Sequence, residues 1–174
     1  SGDLSYNKAS WVVHMLRGVM GDDAFFTAVR NYLGGDDPAA YRSVTTAEFQ
    51  GYMEAEHGAG LDWFFQEWIY GAYYPTYLFD WDTAENGGSH DFTLTLEQLY
   101  QGTRQLFTMP VRVRISLEGG QDTTVTVWND QAKQEFKFTF AAKPVAVQID
   151  PDNWILKRVI EKVKNPTFDQ GVLV

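Results

Sequence analysis

The stretch LSYNKASWVVHMLRGVM, residues 4–20, organises our interpretation of the rest of the chain. At about 100° per residue its apolar side chains spread over an arc of about 200°, whereas an ordinary surface helix needs an apolar stripe of little more than about 100°. We therefore expect a helix that is buried on more than one side. Ser5 is its expected N-cap, and Gly21 is expected to end it. Tyr6 lies at the edge of the apolar arc, with its hydroxyl free to point into a cleft.

Outward from this stretch, residues 1–73 predict a helical part with short connections between its helices. The expected N-caps of three further helices are Asp22 or Asp23, Thr45 and Asp62. Thr45 is followed three positions later by Glu48, which is the capping-box pattern. The expected helix ends are the glycines Gly34, Gly35, Gly58 and Gly60.

From about residue 74 the spacing of apolar residues changes from helical to alternating, which is typical of strands. Seven short strands are predicted, at 77–81, 92–96, 111–117, 125–127, 136–140, 145–149 and 154–156. No helical pattern separates them, so residues 74–160 predict an antiparallel, Ig-like β-sandwich. The expected fold class is α+β. Residues 161–174 are assigned to a tail, although the weak pattern after Arg158 also allows a further strand.

Composition excludes several classes of function. The net charge of −9 argues against a nucleic-acid interface, which needs clustered Lys and Arg. No apolar run approaches the roughly 20 residues that span a bilayer, so no transmembrane segment is expected. The sequence has no cysteine, which excludes disulfides and Cys-ligated metal. The compartment stays open.

Candidate metal ligands are sparse. No two of the histidines His14, His57 and His90 are four residues apart, so no HExxH helix is present, and His14 and His57 are expected to be structural. His90 is expected in a turn. The Asp150-Pro151-Asp152 run lacks EF-hand spacing and is expected to be a turn. We therefore expect this chain to bind no metal, and its own residues do not supply the working parts of an enzyme.

Aromatic side chains are concentrated between Leu61 and Trp81, where ten of 21 residues are aromatic. One interpretation is a rigid seam that joins the helical part to the sandwich. The alternative is a platform that binds sugar or peptide, with Tyr70, Tyr73 and Tyr77 exposed together with Tyr74.

Several short motifs occur in an order that resembles the aminopeptidase N-like zinc metallopeptidases, gluzincins of the membrane alanyl aminopeptidase type. The motifs in the helical part are Tyr6-Asn7-Lys8-Ala9, Met15-Leu16, Gly21-Asp22-Asp23-Ala24-Phe25-Phe26, Thr46-Ala47-Glu48-Phe49, Leu61-Asp62-Trp63-Phe64-Phe65, Trp68 and Tyr74-Pro75. Those in the strand-rich part are Met109-Pro110-Val111, Val127-Trp128 and Ile149-Asp150-Pro151-Asp152-Asn153-Trp154. The likeness covers roughly residues 4–158. The family usually has Gly at the positions of Ala9 and Tyr73.

The resemblance implies that this chain is a C-terminal fragment, the end of a thermolysin-like catalytic domain followed by a β domain. The HExxH zinc ligands, the downstream Glu ligand and the general base would lie upstream in the same polypeptide. The parent would bind zinc and remove N-terminal residues from peptides, and the fragment alone would be inactive. Tyr6 would donate a hydrogen bond to the oxyanion in the transition state. The alternative is a non-catalytic binding or scaffold module.

Overall fold

Helices form the first part of the computed structural model, which describes residues 2–34, 43–100 and 105–162, and the side chains of the first helix from Tyr6 onward. The helices are α1 (Gly2–Met20), α2 (Asp22–Tyr32), α3 (Thr46–His57) and α4 (Asp62–Phe64). A π-helix, Phe65–Tyr70, continues directly from α4. None of the described helices combines the length and the apolar content needed to cross a membrane.

Strands form the second part. They are β1 (Thr76–Asn86), β2 (Ser89–Leu99), β3 (Met109–Leu117), β4 (Gln121–Asn129), β5 (Lys133–Phe140), β6 (Pro144–Ile149) and β7 (Arg158–Glu161). One sheet has the order β5-β2-β1-β7 and the other has the order β4-β3-β6. The pairings are antiparallel except that of β1 with β7, which is parallel. The α+β class is therefore confirmed, whereas a purely antiparallel arrangement is wrong at β7.

The predicted strand at 154–156 is also wrong. Asp150 and Asn153 have left-handed backbones, with φ of 47° and 55°. The amides of Trp154 and Ile155 donate to the Asp150 carboxylate, each at 2.9 Å, instead of to a neighbouring strand. The chain therefore forms a loop here, and the last strand begins at Arg158. The predicted tail lies outside the described residues from residue 163 on.

The capping box at Thr45 is confirmed. The Glu48 amide donates to Thr45 Oγ1 at 3.2 Å, and the Thr45 amide donates to the Glu48 carboxylate at 2.8 Å. Gly58 ends α3 with a left-handed backbone.

The other predicted N-caps are wrong. Ser5 lies inside α1, which begins at Gly2. Gly21 precedes α2, and the Asp22 carboxylate pairs with Arg17 at 2.8 Å. Leu61 precedes α4, and the Asp62 carboxylate accepts from Gln50 Nε2 at 2.7 Å. In both aspartate cases a donor elsewhere in the chain occupies the carboxylate that would otherwise cap the helix.

One cluster of buried apolar side chains runs through the helices and both sheets. The members of this cluster on α1 are Val12, Met15, Leu16 and Met20. Val13, which belongs to the same wide apolar arc, is 44% exposed, so the described residues cover only part of that arc. The change from helix to strand falls between Tyr70 and Thr76, but the division into domains at residue 73 stays a prediction.

Candidate functional site

Tyr6 lies in the N-terminal half of α1, and 80% of its surface is exposed. Its backbone carbonyl accepts a hydrogen bond from Ser10 Oγ at 3.0 Å, within the helix. The phenol is thus carried on a regular helix and is open to a partner or to a ligand.

Beside this part of α1 lies an open groove of about 660 Å³. Its walls come from α1, the end of α2, the residues that lead into α3, and the π-helix. The lining residues are Lys8, Ala9, Val12, Val13, Tyr32, Val44, Thr45, Thr46, Phe49, Trp68 and Ile69. Most of these side chains are apolar, and Lys8 supplies the positive charge. A groove with these walls suits an apolar segment of protein better than a charged ligand.

Lys8 connects α1 to the π-helix. Its Nζ donates to the carbonyl of Gly71 at 2.6 Å, immediately after the π-helix ends. Burial lowers the pKa of Lys8. A cation is favourable here because the carbonyls at the C-terminal end of a helix carry partial negative charge.

Gln105 also contacts the π-helix, because its Nε2 donates to the carbonyl of Glu67 at 2.8 Å. A Cβ on Gly71 would lie 1.9 Å from Gln105 Nε2 and 2.2 Å from the Glu67 carbonyl oxygen, so only glycine fits at this position.

The side chain of Glu67 joins the π-helix to the segment before β3. Its carboxylate accepts from the backbone amide of Thr108 and, at 2.9 Å, from Thr108 Oγ1. Trp68 Nε1 donates to the carbonyl of Thr108 at 3.1 Å. Burial raises the pKa of Glu67, and the two Thr108 donors oppose that rise.

The second half of α1 is held by the loop 150–157. The rings of His14 and Trp154 stack at 4.5 Å, with an interplanar angle of 3°. A Cβ on Gly18 would lie 2.8 Å from Trp154 Cε3. The loop itself is fixed by the buried ion pair between Lys157 Nζ and the Asp150 carboxylate, at 2.6 Å.

The aromatic stretch 61–81 is mostly internal. Its buried members are Phe64, Phe65, Trp68, Tyr77 and Phe79. Tyr70 and Tyr73 are exposed, at 58% and 49%. The suggested binding platform needs an exposed Tyr77, so the structure contradicts that residue's place in it.

The histidines do not come together. His14 stacks on Trp154, and His57 ends α3. His90 lies in β2, opposite Glu85, and not in the turn that was predicted, because β2 begins directly after Gly88. Among the described residues no group of three or more His, Asp or Glu side chains could hold a metal ion.

The sequence motifs point to Tyr6 but indicate no role for Lys8, Glu67 or Gln105. Lys8 is two residues from Tyr6, yet its partner at Gly71 is 63 positions away. The sequence shows a lysine on an apolar helix and a glycine after an aromatic run. These two features are too common to identify the contact between Lys8 and Gly71.

Comparison with known structures shows an aminopeptidase-like fold. The crystal structure of Legionella pneumophila aminopeptidase A in complex with aspartic acid matches 93% of this chain with a TM-score of 0.73 and 16% sequence identity. The chain covers 18% of that protein's chain. No protein-family model matches the sequence, and no curated protein matches it.

Proposed function

We propose that this chain is the C-terminal part of a zinc aminopeptidase of the aminopeptidase N-like gluzincin type. In this proposal the helical part completes a catalytic domain, and the two sheets form an Ig-like β domain behind it. The zinc ligands and the general base belong to an upstream part of the same polypeptide, and the chain alone is inactive. The aminopeptidase-like fold and the order of the sequence motifs support the assignment.

The observation that carries the proposal is the exposure of Tyr6 next to an incompletely covered apolar face. Val13 is 44% exposed, and the groove beside it is open in the part of the chain that the structure describes. Leaving such a face in water is unfavourable by about 25 cal/mol per Å² of apolar surface. We propose that the upstream part packs into this groove and leaves the Tyr6 phenol facing the substrate.

The proposed role of Tyr6 is electrostatic. When a nucleophile attacks the first peptide carbonyl of a substrate, negative charge develops on the carbonyl oxygen. A phenol O–H that is positioned in advance donates a hydrogen bond to that oxygen and stabilises the transition state more than the ground state. Tyr6 needs no ionisation for this role, because a neutral phenol is the donor.

The first test is the native coding sequence upstream of residue 1. An in-frame HExxH motif followed by a Glu on a later helix is the expected result. A nearby start codon without such ligands contradicts the enzyme assignment for this chain. Elemental analysis of the purified chain provides a second check, since stoichiometric zinc would contradict the placement of the metal site upstream.

The second test is Tyr6→Phe in the complete polypeptide, assayed with a panel of aminoacyl p-nitroanilides. We expect kcat to fall by about 10²–10³-fold with little change in KM, because one oxyanion donor is lost. Tyr100→Phe is the matched control: it removes an exposed phenol, 48% accessible, at the residue that follows β2. A kcat in Tyr6→Phe that equals that of Tyr100→Phe contradicts the role of Tyr6.

A further inference from the structure

We propose that Lys8 is a positioning residue for Tyr6, because it ties the N-terminal half of α1 to the carbonyl that follows the π-helix. This inference rests on the proposed function of Tyr6. It assigns a role in the reaction to a side chain that is not itself expected to touch the substrate.

A hydrogen bond from Lys8 holds this part of α1 to the rest of the described chain. Among the described residues from Tyr6 to Ser10, Lys8 provides the hydrogen bond to another element, at 2.6 Å. The hydrogen bond of Ser10 stays within the helix. Val12 is the first buried side chain along the described part of α1. The orientation of the helix around Tyr6 therefore depends on Lys8 more than on packing.

The hydrogen bond between Lys8 and Gly71 is strong for two reasons. An ammonium that donates to a carbonyl forms a charge-assisted hydrogen bond, stronger than one between neutral groups. Both partners are partly buried, so water competes less for the Gly71 carbonyl than it does at an exposed site. Loss of the ammonium would leave that carbonyl without its charged donor.

The segment that accepts the hydrogen bond from Lys8 is itself held in place. Gly71 follows a π-helix that Gln105 and Thr108 hold to the segment before β3. A Cβ on Gly71 would lie 2.2 Å from the backbone carbonyl oxygen of Glu67, so no side chain fits there. The carbonyl that accepts from Lys8 therefore belongs to a well-fixed segment. The hydrogen bond from Lys8 fixes the position of α1 relative to that segment.

The second half of α1 has separate contacts, which makes the effect of Lys8 local. His14 stacks on Trp154, and the Leu156 amide donates to Met15 Sδ at 3.5 Å. Removing the Lys8 ammonium should loosen the backbone around Tyr6 and leave residues 15–20 unchanged.

Hydrogen exchange on the chain tests this local effect without any activity assay. In Lys8→Met we expect the amides of residues 7–10 to exchange about 10-fold faster, with no change in residues 15–20. Lys8→Arg, which keeps a charged donor, should restore most of the protection. Lys137→Met is the control, since that lysine is 74% exposed on β5. Equal exchange in Lys8→Met and Lys137→Met overturns the proposal.

Kinetics of the complete polypeptide test whether Lys8 acts through Tyr6. We expect Lys8→Met to lower kcat by about 10- to 100-fold with KM nearly unchanged, since small misplacements of a catalytic group cost this much. In a Tyr6→Phe background the same change should cost nothing further. An equal loss in both backgrounds overturns the positioning role. If Lys8→Met does not fold, Lys8→Gln and Lys8→Arg provide the same comparison.

The two experiments also separate this proposal from the proposed function. A normal kcat in Tyr6→Phe contradicts the function of Tyr6, whereas the exchange result for Lys8 is independent of it. A kcat that falls in Tyr6→Phe but not in Lys8→Met contradicts the positioning role alone.

Discussion

At the scale of single residues, Tyr77 carries a buried hydroxyl that has no hydrogen-bond partner among the described residues. Burial raises the pKa of Tyr77, and the carboxylates of Asp150 and Glu67 act in the same direction, so the phenol stays neutral. A buried polar group without a partner costs about 1–3 kcal/mol. Its removal should therefore not weaken the fold.

The corresponding variant is Tyr77→Phe, which keeps the ring and removes the hydroxyl. We expect the free energy of unfolding to stay the same or to rise by up to about 1–2 kcal/mol, measured by urea denaturation. Tyr100→Phe, at an exposed position, should change it by less than about 0.5 kcal/mol. A loss of about 1 kcal/mol or more in Tyr77→Phe would show that the hydroxyl has a partner after all.

Ionisation of Glu67 is expected to make the free energy of unfolding depend on pH. Burial raises its pKa in the folded protein above the ordinary value of 4.5, against the opposing effect of the Thr108 donors. The stabilisation that comes from the raised pKa of Glu67 is therefore fully present below pH 4.5. It is lost as the pH rises through the pKa that Glu67 has in the folded protein. Glu67→Gln stays neutral and can still accept from Thr108, so its free energy of unfolding should fall less over this range.

Urea denaturation of both proteins between pH 4 and pH 7 measures this difference. Glu135→Gln, at an exposed position on β5, is the matched control and should keep the slope of the unchanged protein. If Glu67→Gln also keeps that slope, Glu67 is not the group responsible.

At the scale of elements, α1 packs against the loop 150–157 through a position that has no side chain. Alanine is normally favoured over glycine in a helix by about 1 kcal/mol. At Gly18, however, a Cβ would meet Trp154 Cε3 at 2.8 Å. We expect Gly18→Ala to lower the free energy of unfolding by about 1–3 kcal/mol, because overpacking outweighs helix propensity.

Gly51 in α3 provides the control for this change, since a Cβ there meets nothing within 4 Å. Gly51→Ala should raise the free energy of unfolding by about 0.5–1 kcal/mol. Both variants can be compared in one urea series. If Gly18→Ala stabilises the protein as Gly51→Ala does, the loop does not pack closely on α1.

Predictions from sequence succeeded where the interacting residues are neighbours in the chain. Thr45 and Glu48 are three positions apart, and their capping box was predicted correctly. Asp62 was predicted to cap its own helix but instead accepts from Gln50, 12 positions away. The spacing of neighbouring residues carries no information about so distant a donor. The sequence alone therefore could not exclude Asp62 as the N-cap.

At the scale of the whole molecule, alternating apolar residues identified six of the seven strands, because the period of two follows directly from strand geometry. The contacts around the candidate site could not be predicted in this way. Lys8 and Gly71 are 63 positions apart, and Glu67 and Thr108 are 41 apart. The alignment of such pairs depends on how the helices pack on the sheets, which no local pattern encodes.

The parallel pairing of β1 with β7 has a consequence for the newly made chain. Trp81 on β1 and Glu161 on β7 are 80 positions apart, so a ribosome that adds about 5–20 residues per second needs on the order of 4–16 s to supply the second strand after the first. During that interval one edge of β1 has no neighbour and could pair with another nascent chain. Asp80 and Asp82 lie on β1 just beyond the residues that pair with β7, and their like charges should discourage such pairing next to that edge.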